Sequence, residues 1–284
     1  MISVVICSIN SDLLTKLRTN ISTTIGVKYE LIVIDNTIGV KGIAAVYNQG
    51  VLSANYDILC FVHEDVVFRS TGWGLELKKI FQNTNIGLVG GFGTIYKSKF
   101  GGTWASCHSS LYRINPRGTN DFNNTFDNSN DYEFVQIVDG AFMCTTKKVF
   151  TKYQFNDKLL SGFHCYDIDY SLQVGQSFDI IVSNKINIEH LSLGVLNQKW
   201  LNETEVCHKY WRNRLPVGSF QISKNYKRYS DYTSLITLLG VYLKYPGYSK
   251  KIIKVYSCII LKYPDLNKFL FLKTIIKYLI KYEH

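Results

Sequence analysis

Residues 57–68 read DILCFVHEDVVF, an apolar run that breaks off at His63-Glu64-Asp65 and resumes as Val66-Val67-Phe68. Three ionisable side chains at the end of a buried strand are not explained by packing, because unpaired buried charge is costly. The triplet reads as a strand end that opens on a polar cleft.

Working outward, residues 2–9 (ISVVICSI), 30–35 (ELIVID) and 86–91 (IGLVGG) repeat the same short, nearly continuous apolar pattern. Such runs predict strands of a sheet covered on both faces. Helical patterns lie between them at 13–22, 42–54 and 71–82. The alternation predicts an α/β fold with right-handed βαβ units. Ligands of open α/β sheets bind beyond the carboxyl ends of the strands. The candidates there are Ser8 and Asn10, Asp35 and Asn36, the His63-Glu64-Asp65 triplet, and the glycines among residues 90–93.

Residues 92–132 form a long stretch rich in Gly, Ser, Asn and Asp, including GTNDFNNTFDNSND. An irregular segment of that length is usually functional or disordered. Residues 134–145 predict a buried strand interrupted by an Asp139-Gly140 turn, and 178–188 a further strand followed by His190. Between these, Asp167 and Asp169 fall near a helix start, where carboxylates suit the positive end of the dipole.

Of the 284 residues, 46% are hydrophobic and 19% charged, with 20 Gly, 4 Pro and 14% aromatics. This excludes collagen-like, coiled-coil and disordered chains. The sequence predicts neither a signal peptide nor a spanning helix. Seven scattered cysteines with no C-x-x-C pair predict reduced thiols and a cytoplasmic address. Charge is uneven: residues 224–284 hold 12 Lys+Arg against 3 Asp+Glu, whereas residues 1–223 hold 20 against 19. The expected organisation is a nearly neutral body, 1–223, and a basic amphipathic helical annex, 224–284. Lys273, Lys277 and Lys281 fall on one helical stripe of the annex. That stripe suits an anionic membrane surface, while the apolar side of the same helix could instead pack on the body or another subunit. The basic charge has no nucleic-acid recognition motif beside it.

No G-x-G-x-x-G follows the first strand, and neither a phosphate-loop G-x-x-x-x-G-K-[ST] nor a G-x-S-x-G elbow occurs. A nucleotide phosphate would need a divalent metal on carboxylates instead.

The order SVVICSIN, ELIVIDNT, GIAAVYNQG, DILCFVHEDVVF, VDGAFM, YDIDYSL and a late His resembles the GT-A glycosyltransferases, particularly the inverting family-two type, over roughly residues 1 to 195. The resemblance implies a Rossmann-like mixed α/β sheet flanked by helices, a nucleotide-diphospho-sugar donor, and Mn2+ or Mg2+. Position by position, it implies that Asp35 contacts the donor base and that Asn48 lies near the nucleotide. Asp65 matches the metal-binding last Asp of a D-x-D motif. His63 stands where the first Asp usually stands, and a neutral imidazole can still ligate metal or donate to phosphate. Glu64 serves the ribose or points into structure, and Ser8 joins the substrate contacts at the first strand end.

Asp167 matches the catalytic base, with Tyr166 in place of the preceding acid. Asp169 is the other candidate there, with helix capping as its alternative role. His190 matches a late His that completes the metal site in some members. Asp139 and Gly140 match the acceptor-side strand, where the Gly leaves room for sugar. Trp73, Trp104, Tyr132 and Trp200 could stack on sugars, although burial is the commoner role of such rings. The expectation is transfer of a sugar to a glycan or lipid-linked acceptor in cell-surface polysaccharide synthesis. The address would be the cytoplasm or the inner membrane face. The rivals are an inactive GT-A scaffold that binds nucleotide or glycan, and a nucleotidyltransferase.

Overall fold

A computed structural model describes residues 1–114, 130–192, 194–218, 221–266 and 271–282. The chain opens with β1 (Ile2–Ser8), α1 (Ser11–Thr24), β2 (Tyr29–Asp35), α2 (Ile43–Leu52), β3 (Ile58–His63), β4 (Val66–Phe68), α3 (Trp73–Ile80) and β5 (Ile86–Gly90). Helix α1 starts two residues before the apolar pattern because the Asn10 side chain accepts from the Asp12 and Leu13 amides.

Short strands follow: β6 (Phe92–Thr94), β7 (Tyr96–Lys97), β8 (Tyr112–Ile114), β9 (Tyr132–Val135), β10 (Ile137–Val138) and β11 (Phe142–Thr146). The Asn-rich residues 115–129 lie outside the described residues. Then come α4 (Lys147–Lys152), α5 (Tyr166–Val174), β12 (Asp179–Ser183), β13 (Ile188–His190), α6 (Gln198–Tyr210), β14 (Val217–Gly218), α7 (Lys224–Tyr242), α8 (Ser249–Lys262) and α9 (Leu272–Tyr282).

Seven strands form the central sheet in the order β2-β1-β3-β11-β5-β12-β9. Strands β2, β1 and β3 run parallel, as do β5 and β12, while β11 and β9 run antiparallel to their neighbours. The expected sheet is therefore mixed, with β11 inserted between β3 and β5. A fully buried strand is apolar in either direction, so its direction leaves no trace in hydropathy. The expected single strand at 178–188 is two, β12 and β13, because the chain leaves the main sheet after Ser183.

Alternation explains the unbroken apolar runs. Ile2, Val4, Ile6, Cys60 and Val62 enter one buried cluster, which also takes Leu17 and Ile21 of α1. Val5, Leu59 and Phe61 face the other side, against Tyr47 of α2 and Phe155. Both faces are covered, so both parities must be apolar. Truncating one such side chain to Ala costs about 2–5 kcal/mol.

A third cluster joins α6 to the annex. Trp200 and Leu201 pack with Leu235, Leu239, Ile252, Ile259, Ile275 and Tyr278. The inner side of the annex thus packs on the body. Among the described residues, no helix is long and apolar enough to cross a membrane.

Candidate active site

Register brings the polar strand ends to one edge. Ser8 is level with Asp35, and Cys7 with His63. Strand β11 begins beside the end of β3, with Phe142 opposite Val62, which delivers the Asp139-Gly140 turn to the same edge. The small β4–β13 ladder pairs His190 with Val66 and sets its ring beside Asp65.

Three expected residues meet there. His190 Nε2 lies 3.2 Å from Asp65 Oδ1, and His63 Nδ1 lies 4.0 Å from the same oxygen. One ligand atom from each of His63, Asp65 and His190 falls within 4.8 Å of the others. Burial, with the His190 charge beside it, pushes His63 down to about 4, so its ring is neutral and offers a lone pair. Burial would raise Asp65, yet hydrogen bonding to His190 and Ser192 outweighs it and holds the carboxylate well below its ordinary range. Burial works against a charged His190, but its bond to Asp65 raises it overall. Two imidazoles and a carboxylate form a donor set that fits a divalent transition ion better than the all-oxygen preference of Mg2+.

The cluster opens on a cavity of about 480 Å3, bordered by His63, His190, Asp139, Gly140, Tyr166 and Asp167, and walled by Trp104 and Trp200. The chain enters α5 through Cys165 in the left-handed region, φ 60°. That conformation is unfavourable for a residue with a Cβ. It turns the following Tyr166 and Asp167 into the cavity. Burial first, and the Asp139 charge second, push Asp167 up to about 7. Asp139 Oδ1 accepts from the Ala141 amide at 2.8 Å and so tightens its own turn.

Tyr166, which in the sequence stands only in place of an acid, is a structural partner of the cluster. Its Oη lies 2.5 Å from His63 Nε2. A Cβ at position 140 would overlap that hydroxyl, so the missing side chain of Gly140 makes room for Tyr166. Gly140 also borders the cavity, where the sequence resemblance expects it to leave room for sugar. Lys97 was also missed. It is buried, and its Nζ donates to the carbonyls of Gly102 (2.7 Å) and Thr103 (3.0 Å), which fixes the loop carrying Trp104. Burial lowers its ammonium to about 8. A lysine in a Gly- and Ser-rich stretch carries no sign of burial in the sequence.

Other expected residues stand away from the cavity. Glu64 accepts from Ser8 Oγ at 2.8 Å and from the Ile9 and Asn10 amides at 3.1 Å, tying down the end of β1. Asn48 donates to Phe155 O at 2.8 Å and accepts from the Phe155 amide at 3.2 Å. Asp35 is exposed at the end of β2 and accepts from the Thr37 amide. Asp169, expected as a substrate contact, is fully buried, and its oxygens accept from Trp211 Nε1 and Gln173 Nε2, each at 2.7 Å. It sits off the cavity because, two residues beyond Asp167, it faces another side of α5. Trp73 is core, stacked on Phe68 at 4.3 Å, and Tyr132 lies on the edge strand β9.

Residues 3–210 match the family model described as Glycosyltransferase like family. No curated protein matches the sequence significantly. The mannosyltransferase PcManGT from Pyrobaculum calidifontis, in complex with GDP-Man and Mn2+, is similar at TM-score 0.51 and 11% identity, over 99% of this chain and 86% of that one. GalNAc-T7 with UDP, GalNAc and Mn2+ is similar at TM-score 0.53 and 12% identity, over 99% of this chain and 58% of that one. At such identities the likeness is one of fold.

Proposed function

The chain belongs to the Glycosyltransferase like family and has the GT-A fold, and from that premise we propose that it moves a sugar from a nucleotide-diphosphate donor to a glycan or lipid-linked hydroxyl with inversion. The observation that supports this reading is one cavity bordered both by the histidines of a metal-capable cluster and by Asp167. A divalent ion, for which the two imidazoles favour Mn2+ over Mg2+, would neutralise charge on the leaving diphosphate when bound to His63, Asp65 and His190.

Asp167 is the base. Its carboxylate takes the acceptor proton while the acceptor oxygen attacks the anomeric carbon from the face opposite the diphosphate. A carboxyl pushed up to about 7 is well matched to that task near neutral pH. Asp139 shapes the acceptor side and Asp35 meets the donor base at the sheet edge. Ser8, Glu64 and Asn48 hold the segments around the donor. Asp169 supports α5 from behind. Residues 1–223 carry the chemistry, and 224–284 form the annex that places it at the cytoplasmic side of a membrane where polysaccharide is assembled.

The test is incubation with UDP- and GDP-linked sugars, Mn2+ and glycan or lipid-linked acceptors, reading nucleoside diphosphate release and the product anomer by NMR. The reading predicts release with an inverted anomer, lost in Asp167→Asn. Retained configuration would overturn the single displacement. Metal-dependent nucleotide binding with no release from any donor would favour a binding scaffold.

A further inference from the structure

Helix α9 divides its circumference three ways. One sector is used internally: Ile275 and Tyr278 are buried, and Tyr278 Oη donates to Tyr245 O at 2.6 Å while accepting from the Tyr248 amide at 3.2 Å. These contacts fix which face of the helix looks outward. A second sector, spaced four apart, carries Leu272, Ile276 and Ile280, which are 39%, 48% and 63% exposed. The third, one residue further round, carries the exposed Lys273, Lys277 and Lys281. None of the three lysines has an ion-pair partner among the described residues. Helix α8 repeats the pattern in part, with Ile253 49% and Leu261 79% exposed, and neither helix contains an acidic residue.

We infer that α9 is an interfacial anchor lying flat on an anionic phospholipid bilayer, with Leu272, Ile276 and Ile280 sunk to the headgroup–acyl boundary and Lys273, Lys277 and Lys281 on the phosphates. A polar solvent-facing helix has no need of an apolar stripe held in water. A helix buried against protein has no need of a lysine row beside that stripe. The adjacent pair matches the two layers of a bilayer surface, apolar below and negative above. A second copy of the chain fits less well. A two-fold contact through this face would set lysine row against lysine row with no acid on either helix to separate them. The anchor rests on the membrane placement proposed for the annex and names its surface; its residues are remote from the catalytic cavity, so failed vesicle binding would remove that placement and leave sugar transfer to be tested on its own.

The experiment is flotation of the full chain with vesicles of phosphatidylcholine alone and of phosphatidylcholine mixed with phosphatidylglycerol, at low and high salt. The expected result is binding to the mixed vesicles only, weakened by salt. The Lys273→Gln, Lys277→Gln, Lys281→Gln triple variant should bind on the order of a hundredfold more weakly, at roughly fivefold per lysine. The Ile276→Asn, Ile280→Asn variant alters exposed side chains, so it should keep the wild-type melting temperature and lose vesicle binding. Equal binding to both vesicle types, no binding to either, or unchanged binding by both variants would overturn the inference. So would a concentration-dependent dimer, seen by sedimentation, that the isoleucine changes abolish while vesicle binding stays absent.

Discussion

His63 and Tyr166, 103 positions apart in the chain, are joined through Nε2 and Oη at 2.5 Å. In the tautomer whose Nε2–H donates to the tyrosine oxygen, the Nδ1 lone pair lies on the side of Asp65. The hydroxyl holds the ring in place, as outer partners of metal-binding imidazoles do, and it can donate to or accept from that nitrogen. Tyr166→Phe is expected to weaken Mn2+ binding about 10–100-fold by calorimetry. Unchanged affinity would show that the tyrosine is only packing.

Gly140 acts on the same bond from the other side. Gly140→Ala places a methyl on the Tyr166 hydroxyl and should displace it. Because both changes break one contact, the double variant should lose less Mn2+ affinity than the two single losses added together. Additive losses would mean that the two positions act separately.

Asp167 sets a pH dependence of known sign. A carboxyl base works only when ionised, so turnover should rise with pH through about 7. Stability should run the other way. The folded state keeps the proton from about pH 4, where the unfolded carboxyl ionises, up to the folded value. Stability contributed by the neutral acid is thus full below that window and is lost as pH rises through it. Asp167→Asn should lower turnover about 100-fold or more. Its melting temperature relative to wild type should increase between about pH 4 and about pH 8. A difference in melting temperature that does not change with pH would contradict the raised carboxyl.

Asp169 is the contrasting acid. Asp169→Ala strands the Trp211 and Gln173 donors and should cost about 1–3 kcal/mol for each group left without a partner, read from denaturant unfolding. Loss of donor binding at full stability would instead place it among the substrate contacts.

Much of this was legible because periodicity and strand ends are local properties. The parallel strands β1, β2 and β3 show as unbroken apolar runs, and the polar residues that close them show as candidates by position alone. Asp65 and His190 meet through the β4–β13 ladder, and only their order in the chain pointed to each other. Tyr166 and Gly140 are complementary in three dimensions, one hydroxyl filling the space of one absent methyl, and no spacing rule expresses that. Lys97 was hidden for the same reason, since its partners are backbone carbonyls. Asp169 looked equivalent to Asp167 in sequence and differs by its rotation around α5. That one side of α9, at Ile275 and Tyr278, packs inward was not legible either, because its apolar residues run round most of the helix in sequence.

The most direct test of the account is calorimetric titration of the full chain with nucleoside diphosphates, in Mn2+ and again in chelator, for wild type and Asp65→Ala. The account predicts that at least one diphosphate binds in Mn2+ and that chelator and Asp65→Ala each abolish most of that affinity. Binding that is equally tight without metal, or unaffected by Asp65→Ala, would contradict the assignment of His63, Asp65 and His190 as the metal centre.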